Sequence, residues 1–146
     1  MSERIVIVDD DTAILDTLAD FLSGEGLSPV TFHDATTALR SILELPPRLV
    51  ITDLYMPASI SGMELITHLR EAFGMDLPIF AMSASLGRDA IDVTLIQEYI
   101  AKPFDLKDLL ETIYRWVRPD ATVGAHSAGA QATARMGRKR YARLGV

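Results

Sequence analysis

Carboxylates, a hydroxyl and an amine follow four short apolar segments of this 146-residue chain. Three consecutive acids, Asp9 to Asp11, follow the first segment, and Asp53 follows another. Ser83 and Lys102 follow two further segments. Clustered carboxylates suit a hard divalent cation such as Mg²⁺, and a carboxylate beside an amine is suited to accept a phosphoryl group. The residue types therefore point to phosphate chemistry if the fold brings them together.

The apolar segments have the length and composition of buried β-strands. Because ligand sites in open α/β sheets lie beyond the carboxyl ends of parallel strands, the polar residues that follow the strands are expected to converge. A fifth, weaker strand contains Pro29, which favours an edge position. The predicted strands are Arg4 to Val8, Leu27 to Phe32, Leu49 to Thr52, Leu77 to Met82 and Tyr99 to Ala101.

Amphipathic helices are predicted between and after these strands because apolar residues recur there at helical spacing. Asp11 or Thr12, Asp34 and Asp105 are suited to cap three of the helices. The segment from Gly87 to Leu95 is long enough for only about two turns. The inward residues are predicted to be Ile14, Leu15, Leu18, Phe21 and Leu22; Ala38, Leu39, Ile42 and Leu43; Leu65, Ile66, Leu69 and Phe73; and Leu106, Leu109, Leu110, Ile113, Tyr114 and Val117.

Strands and helices alternate five times along the chain, which predicts an α/β fold with a doubly wound, five-stranded parallel sheet. The net charge of −6 combines an acidic body with a basic end: residues 1–118 hold 9 Lys and Arg against 19 Asp and Glu, and residues 119–146 hold 5 against 1. We therefore predict a domain over residues 1–118 and a flexible basic tail or linker over 119–146. The absence of cysteine, signal-like segments and long apolar runs favours a cytoplasmic protein.

Four motifs occur in order at the strand ends: the acids after the first strand, Asp53 before Met56-Pro57, Ser83-Ala84, and Lys102-Pro103-Phe104. With Tyr99 three residues before the lysine, the chain resembles a receiver domain of a two-component response regulator from Arg4 to about Val117. Each motif alone is weak, but the four in this order are specific.

The resemblance implies the flavodoxin-like strand order 2-1-3-4-5. It also implies a cis peptide bond between Lys102 and Pro103. The implied roles are Asp53 as the phosphoacceptor, Asp9, Asp10, Asp53 and the backbone carbonyl of Tyr55 as the Mg²⁺ ligands, Lys102 as the partner of the phosphoryl group, and Ser83 and Tyr99 as the residues that switch with phosphorylation.

The implied function is a signalling module of a phosphorelay, which takes its phosphoryl group from a histidine kinase or phosphotransfer protein and acts on a downstream protein. Such a module is not an enzyme in the usual sense, because it catalyses only its own phosphorylation and dephosphorylation. A Mg²⁺-dependent phosphohydrolase with Asp53 as nucleophile is an alternative, disfavoured because the next acid in the chain is Glu64. Membrane binding is not expected. Nucleic-acid binding is unlikely, since the tail combines its positive charges with a single aromatic, Tyr141.

Each residue also has a purely structural interpretation. Asp9 to Asp11 could form no more than a helix cap with its solvated neighbours, and Ser83 could be a turn residue. Lys102 could be a solvated charge and Tyr99 a core aromatic. The chain also departs from the family, because the span from Ser83 to Tyr99 is short and Ile96-Gln97-Glu98 replaces the usual small residues. The helix in this span is expected to be shortened, tilted or partly unwound.

Overall fold

The computed structural model describes residues 3–57, 59–84 and 91–117. Its five strands form a single parallel sheet in the order β2-β1-β3-β4-β5, which confirms the predicted fold class and strand order. The strands are β1 (Arg4–Val8), β2 (Ser28–Phe32), β3 (Leu49–Asp53), β4 (Ile79–Ser83) and β5 (Glu98–Ala101).

The burial of each strand follows from its place in the sheet. All five residues of the central strand β3 are buried, because helices cover both faces of the sheet. The residues of β2 are only half-buried, and Pro29 pairs with Ile5 of β1 at this edge. A proline is tolerated at an edge because one side of the strand needs no ladder hydrogen bonds. The predicted edge position of β2 is therefore confirmed.

Four α-helices cover the sheet: α1 (Thr12–Gly24), α2 (Ala35–Glu44), α3 (Gly62–Phe73) and α4 (Leu106–Trp116). The predicted caps Asp11, Asp34 and Asp105 each accept backbone N–H groups of the first helical turn. The start of α3 has a capping box, in which Ser61 and Glu64 each accept the backbone N–H group of the other residue.

The core has one layer on each face of the sheet. One layer joins Ile5, Ile7 and Ile51 to α1 and α4, and the other joins the opposite faces of the same strands to α2 and α3. This alternation is what a doubly wound sheet requires, since each strand must be apolar on both faces. No helix in the described parts of the chain is long and apolar enough to cross a membrane.

Several details differ from the sequence-based expectations. Leu43 is 51% exposed, so its predicted inward position on α2 is wrong; the buried residues of that helix are Ala35, Ala38 and Ile42. The strand predicted to begin at Leu77 begins at Ile79, because a short 3₁₀ turn over Gly74–Asp76 precedes it. Leu43 lies within α2, about 100° around the helix axis from Ile42 at 3.6 residues per turn, and this rotation carries it off the buried face.

The connection between β4 and β5 contains a single 3₁₀ turn, Val93–Leu95, in its described part. A single turn in residues 91–95 is consistent with the expected shortened, tilted or partly unwound helix, and residues 85–90 lie outside the described parts of the chain. The predicted tail, residues 119–146, also lies outside them.

Candidate functional site

The predicted site residues lie at the carboxyl edge of the sheet. Asp9 directly follows β1, Asp53 and Ser83 are the last residues of β3 and β4, and Lys102 directly follows β5. In the parallel register Asp53 pairs with Met82, and Ser83 pairs with Ala101. Four strand ends therefore present their polar residues along one edge, as is general for this kind of sheet.

Lys102 joins two of the acids directly. Its ammonium group donates to Oδ2 of Asp9 at 2.6 Å and to Oδ2 of Asp53 at 3.3 Å. The side chain of Lys102 is 13% exposed, and those of Asp9 and Asp53 are 0% and 9% exposed. Buried ionic groups need partners of this kind because water cannot solvate them. The purely structural interpretation of Lys102, as a solvated surface charge, is therefore wrong.

Asp10 completes an acidic cluster at the same place. One carboxylate oxygen from each of Asp9, Asp10 and Asp53 lies within 4.8 Å of the other two. Asp10 is exposed, so the cluster opens to solvent on its side. Three carboxylates against one ammonium leave a surplus of negative charge, and hard oxygen donors at this spacing fit Mg²⁺. The residues therefore fit the ion that the sequence implied.

Charge and burial oppose each other in this cluster. Burial raises the pKa of the Asp53 carboxyl, the Lys102 ammonium lowers it, and the Asp9 carboxylate raises it again, so that the pKa lies above its usual value. Burial alone would lower the pKa of Lys102, but its hydrogen bond to Asp9 and the charges of both acids outweigh burial and raise it. The lysine therefore stays protonated, while ionised Asp53 is held at a cost.

Asp53 is held by hydrogen bonds to its side chain and backbone and by close packing against Gly62. Its Oδ1 accepts the N–H group of Tyr55 at 3.3 Å, and the hydroxyl of buried Thr52 donates to its backbone carbonyl at 2.9 Å. A Cβ atom added at Gly62 would lie 2.1 Å from that carbonyl oxygen. Only glycine fits there, because no Cβ atom approaches backbone so closely.

Gly62 and Thr52 are residues of this site that the sequence analysis did not identify. Thr52 was predicted only as the last residue of a strand, and Gly62 carried no predicted role. A glycine nine residues after Asp53, at the start of an amphipathic helix, was the available signal, but its meaning depends on the path of the loop.

The two predicted switch residues lie on the side of the site that faces β5. Ser83 is buried and ends the strand next to β3. Tyr99 is half-buried and packs against the core layer that contains α2 and α3. The side chain of Tyr55 is 73% exposed. The peptide bond between Lys102 and Pro103 is cis, as predicted.

Comparison with known proteins agrees with this geometry. Residues 5–114 match the family model of the response regulator receiver domain. The DNA-binding response regulator MtrA of Mycobacterium tuberculosis (strain ATCC 25618 / H37Rv) is 36% identical over 118 residues, which cover 77% of this chain and 50% of MtrA. The response regulator MprA of Mycobacterium bovis is 36% identical over 116 residues, which cover 75% and 48%.

Two solved structures are similar over most of the chain. The response regulator TrrA of Thermotoga maritima, in complex with Mg²⁺-BeF, has a TM-score of 0.72 and 29% identity, covering 79% of this chain and 99% of that one. The receiver domain of NtrX from Brucella abortus has a TM-score of 0.69 and 30% identity, covering 76% and 95%.

The chain spans about half the length of the curated relatives it matches. Because MtrA is described as DNA-binding, these relatives do not support the expectation that nucleic-acid binding is unlikely. Receiver domains of response regulators are signalling domains that are phosphorylated on an aspartate and bind Mg²⁺ at a cluster of aspartates, and response regulators interact with histidine kinases. This chain belongs to the family of response regulator receiver domains.

Proposed function

We propose that this chain is the phosphoacceptor module of a two-component phosphorelay, with Asp53 as the residue that takes the phosphoryl group. The observation that carries the proposal is the position of Lys102, whose ammonium group bridges Asp9 and Asp53 at the open edge of the sheet. A purely structural lysine would have its charge balanced, whereas this one is outnumbered by acids within a cluster that is open to solvent.

Asp9, Asp10 and Asp53 would hold Mg²⁺, together with the backbone carbonyl of Tyr55 that the family resemblance adds. Their carboxylate oxygens lie within 4.8 Å of one another, which suits a hard cation. Bound there, Mg²⁺ supplies positive charge that neutralises phosphoryl oxygens. The chain's own contribution is to keep the acids close together despite their repulsion.

In the transfer step, a carboxylate oxygen of Asp53 forms the new O–P bond. The bond from phosphorus to the donor breaks, and the donor leaves with that electron pair: the imidazole nitrogen of a phosphohistidine or the carboxylate of a small acyl phosphate. Lys102 then pairs with a phosphoryl oxygen, a role for which its raised pKa keeps it charged. Catalysis is mostly positioning and charge stabilisation, and it acts on the domain itself rather than on a separate substrate.

Ser83 and Tyr99 are proposed to report the phosphorylated state. The hydroxyl of Ser83 would donate to a phosphoryl oxygen, since Ser83 ends the strand beside Asp53. Tyr99 lies on β5, the strand that pairs with β4, and its partner there is Ala81. A change at Ser83 can therefore reach the surface near β5 and α4, where a downstream protein would bind.

A phosphohydrolase with Asp53 as nucleophile fits less well. It would need a second acid free to protonate a leaving group. Glu64, the next acid in the chain, accepts the backbone N–H of Ser61 at 3.0 Å in the capping box of α3. That carboxylate is engaged in helix capping and is not available as a general acid.

We further propose that residues 1–118 form the receiver domain and that residues 119–146 extend from it. The partners would be a histidine kinase or phosphotransfer protein as donor and a downstream protein as target. DNA binding, which the description of MtrA raises, would belong to parts of such proteins that this chain does not span.

The test is incubation of the full chain with acetyl phosphate and Mg²⁺, read by intact mass. Wild type is expected to gain one phosphoryl group, and Asp53→Asn none. Asp76→Asn, which removes an exposed acid far from the site, is the matched control and should be phosphorylated like wild type. Equal phosphorylation of Asp53→Asn, or undiminished phosphorylation in EDTA, would contradict the proposal.

A further inference from the structure

The charges of this chain are segregated along the sequence. Residues 5–39 contain seven Asp and Glu but no Lys or Arg, and residues 121–146 contain five Lys and Arg but no Asp or Glu. All five of these bases fall within the nine residues 135–143, together with Met136 and Tyr141. A basic segment that contains apolar residues is complementary to an acidic surface that also has an apolar part.

Such a surface lies on α1 in the form of an apolar groove of about 690 Å³. One wall is formed by α1, and the other by the chain that follows β5. The lining includes Ala13, Ile14 and Thr17 on one side and Pro103, Phe104 and Leu106 on the other.

Exposed acids flank the groove. Asp16 and Asp20 lie one turn apart on α1, three and seven residues after Ala13, so they continue the same exposed side of the helix. Asp11, at the N-terminus of α1, is exposed as well. Since α1 contains no Lys or Arg, no charge of its own neutralises these acids.

The basic segment can reach this groove. The end of α4 lies beside the end of α1, where the Tyr114 hydroxyl donates to the backbone carbonyl of Glu25 at 3.3 Å. Seventeen residues separate Val117 from Arg135. They can span at most about 60 Å at roughly 3.5 Å per residue, whereas α1 is about 20 Å long at 1.5 Å per residue. The connecting chain is therefore long enough to return along α1.

We propose that residues 135–143 dock on the α1 groove of their own chain, with the basic side chains facing Asp16 and Asp20. The contact is ionic, so salt weakens it.

A spin label can test the docking because the chain has no cysteine. Ala142→Cys gives one attachment site for a nitroxide. At low salt, the amide signals of residues 13–17 and 104–106 are expected to broaden far more than those of α2 on the other face of the sheet. At about 0.5 M NaCl, where the Debye length falls to roughly 4 Å, most of that broadening should disappear.

Matched double variants separate this groove from general attraction to an acidic body. Asp16→Asn with Asp20→Asn should reduce the broadening several-fold. Glu44→Gln with Glu71→Gln, which removes two exposed charges from α2 and α3, should leave it unchanged. Equal loss in both double variants, or broadening spread evenly over the domain, would overturn the proposal.

A mixing experiment distinguishes the chain's own segment from that of a second copy. Isotope-labelled chain without the spin label is mixed with spin-labelled chain at natural isotope abundance. No broadening in the mixture is expected if the segment docks within one chain. Broadening of the groove signals in the mixture would assign the groove to a second copy and overturn intramolecular docking.

Discussion

Two half-buried cations, Lys102 and Arg70, lie at opposite edges of the same sheet and have opposite surroundings. Within the described residues, the Lys102 ammonium group donates to the carboxylates of Asp9 and Asp53. In the same part of the chain, the Arg70 guanidinium group donates to neutral oxygens at the edge where β4 begins. They are the backbone carbonyls of Leu95 at 2.8 Å, Gly74 at 2.6 Å and Leu77 at 2.7 Å, and the side-chain oxygen of Gln97 at 2.8 Å.

The difference separates an edge whose cation is matched by neutral oxygens from an edge whose carboxylates outnumber their cation. The Gln97 oxygen that Arg70 contacts also accepts the N–H group of Ile79 at 2.7 Å, so this network ties α3, β4 and the entry to β5 together. Burial lowers the pKa of Arg70, but a guanidinium stays protonated in proteins. At the opposite edge, a surplus of acids remains after Lys102 is counted. One network pairs its cation with neutral oxygens, and the other leaves an excess of carboxylates of the kind that suits a hard cation.

The largest expected effect on stability comes from Arg70→Met. It removes four hydrogen bonds to oxygens in the part-buried edge, at roughly 1 kcal/mol each, so we expect about 4 kcal/mol less free energy of unfolding. Urea denaturation measures this, with Arg40→Met on the exposed side of α2 as the control.

Folded Arg70→Met is expected to keep its phosphorylation by acetyl phosphate, because Arg70 lies at the other edge of the sheet from Asp53. If Arg40→Met were equally destabilising, or if Arg70→Met kept full stability but lost phosphorylation, the division between the two edges would be wrong.

A second effect is expected at Gly62, which packs against the backbone of Asp53. In Gly62→Ala the added Cβ would lie 2.1 Å from the Asp53 carbonyl oxygen and 2.6 Å from the Leu54 Cα, so the backbone must shift. Such overpacking costs about 1–3 kcal/mol of stability. Because the shift moves Asp53 itself, phosphorylation by acetyl phosphate should fall more than tenfold.

Gly24→Ala is the control for that variant, since an added Cβ at Gly24 meets nothing within 4 Å. It should be phosphorylated at the wild-type rate and be no less stable, because alanine favours a helix over glycine. Wild-type phosphorylation in Gly62→Ala would show that the loop after Asp53 tolerates the shift.

The sequence was sufficient to predict part of the site, and Arg70 and Gly62 show where it was not. The strand order and the convergence of Asp9, Asp53 and Lys102 were predictable, because each residue directly follows an apolar run and parallel strands end at one edge. Arg70 was not, because its partners lie up to 27 residues away along the chain. Gly62 was not, since the close approach depends on how the loop folds back over Asp53. Local patterns predict positions along elements, and only packing shows what crosses between them.

The region between β4 and β5 was also only partly predictable from the sequence. Its departure from the family pattern at Ile96 to Glu98 was visible in the sequence, and it suggested a shortened helix. The replacement is not merely a loss, because Gln97 supplies the acceptor for Arg70 and also for Ile79. The sequence therefore showed that Gln97 is unusual for the family, but it did not show that Gln97 contacts Arg70.

The smallest expected effect concerns pH and distinguishes the two edges without changing the shape of either. The pKa of Asp53 is raised in the folded protein, so its protonated form is favoured on folding. The resulting contribution to stability is fully present below the unfolded pKa of about 3.9. It is lost as pH rises through the folded value, where Asp53 ionises beside Asp9. Mg²⁺ competes with that proton, so its stabilising effect should appear only above the folded pKa and grow with pH. At ten times its dissociation constant, a ligand adds about 1.4 kcal/mol to the free energy of unfolding.

Thermal unfolding with Mg²⁺ and with EDTA, measured between about pH 4 and pH 8, should show this growing difference in wild type. In Asp53→Asn the difference should be much smaller, since one ligand and the titrating group are both gone. Asp76→Asn at the opposite edge should behave like wild type. A Mg²⁺ effect that is independent of pH, or equal in Asp53→Asn, would mean that the ion binds elsewhere and that the acids at the carboxyl edge are not held ready for it.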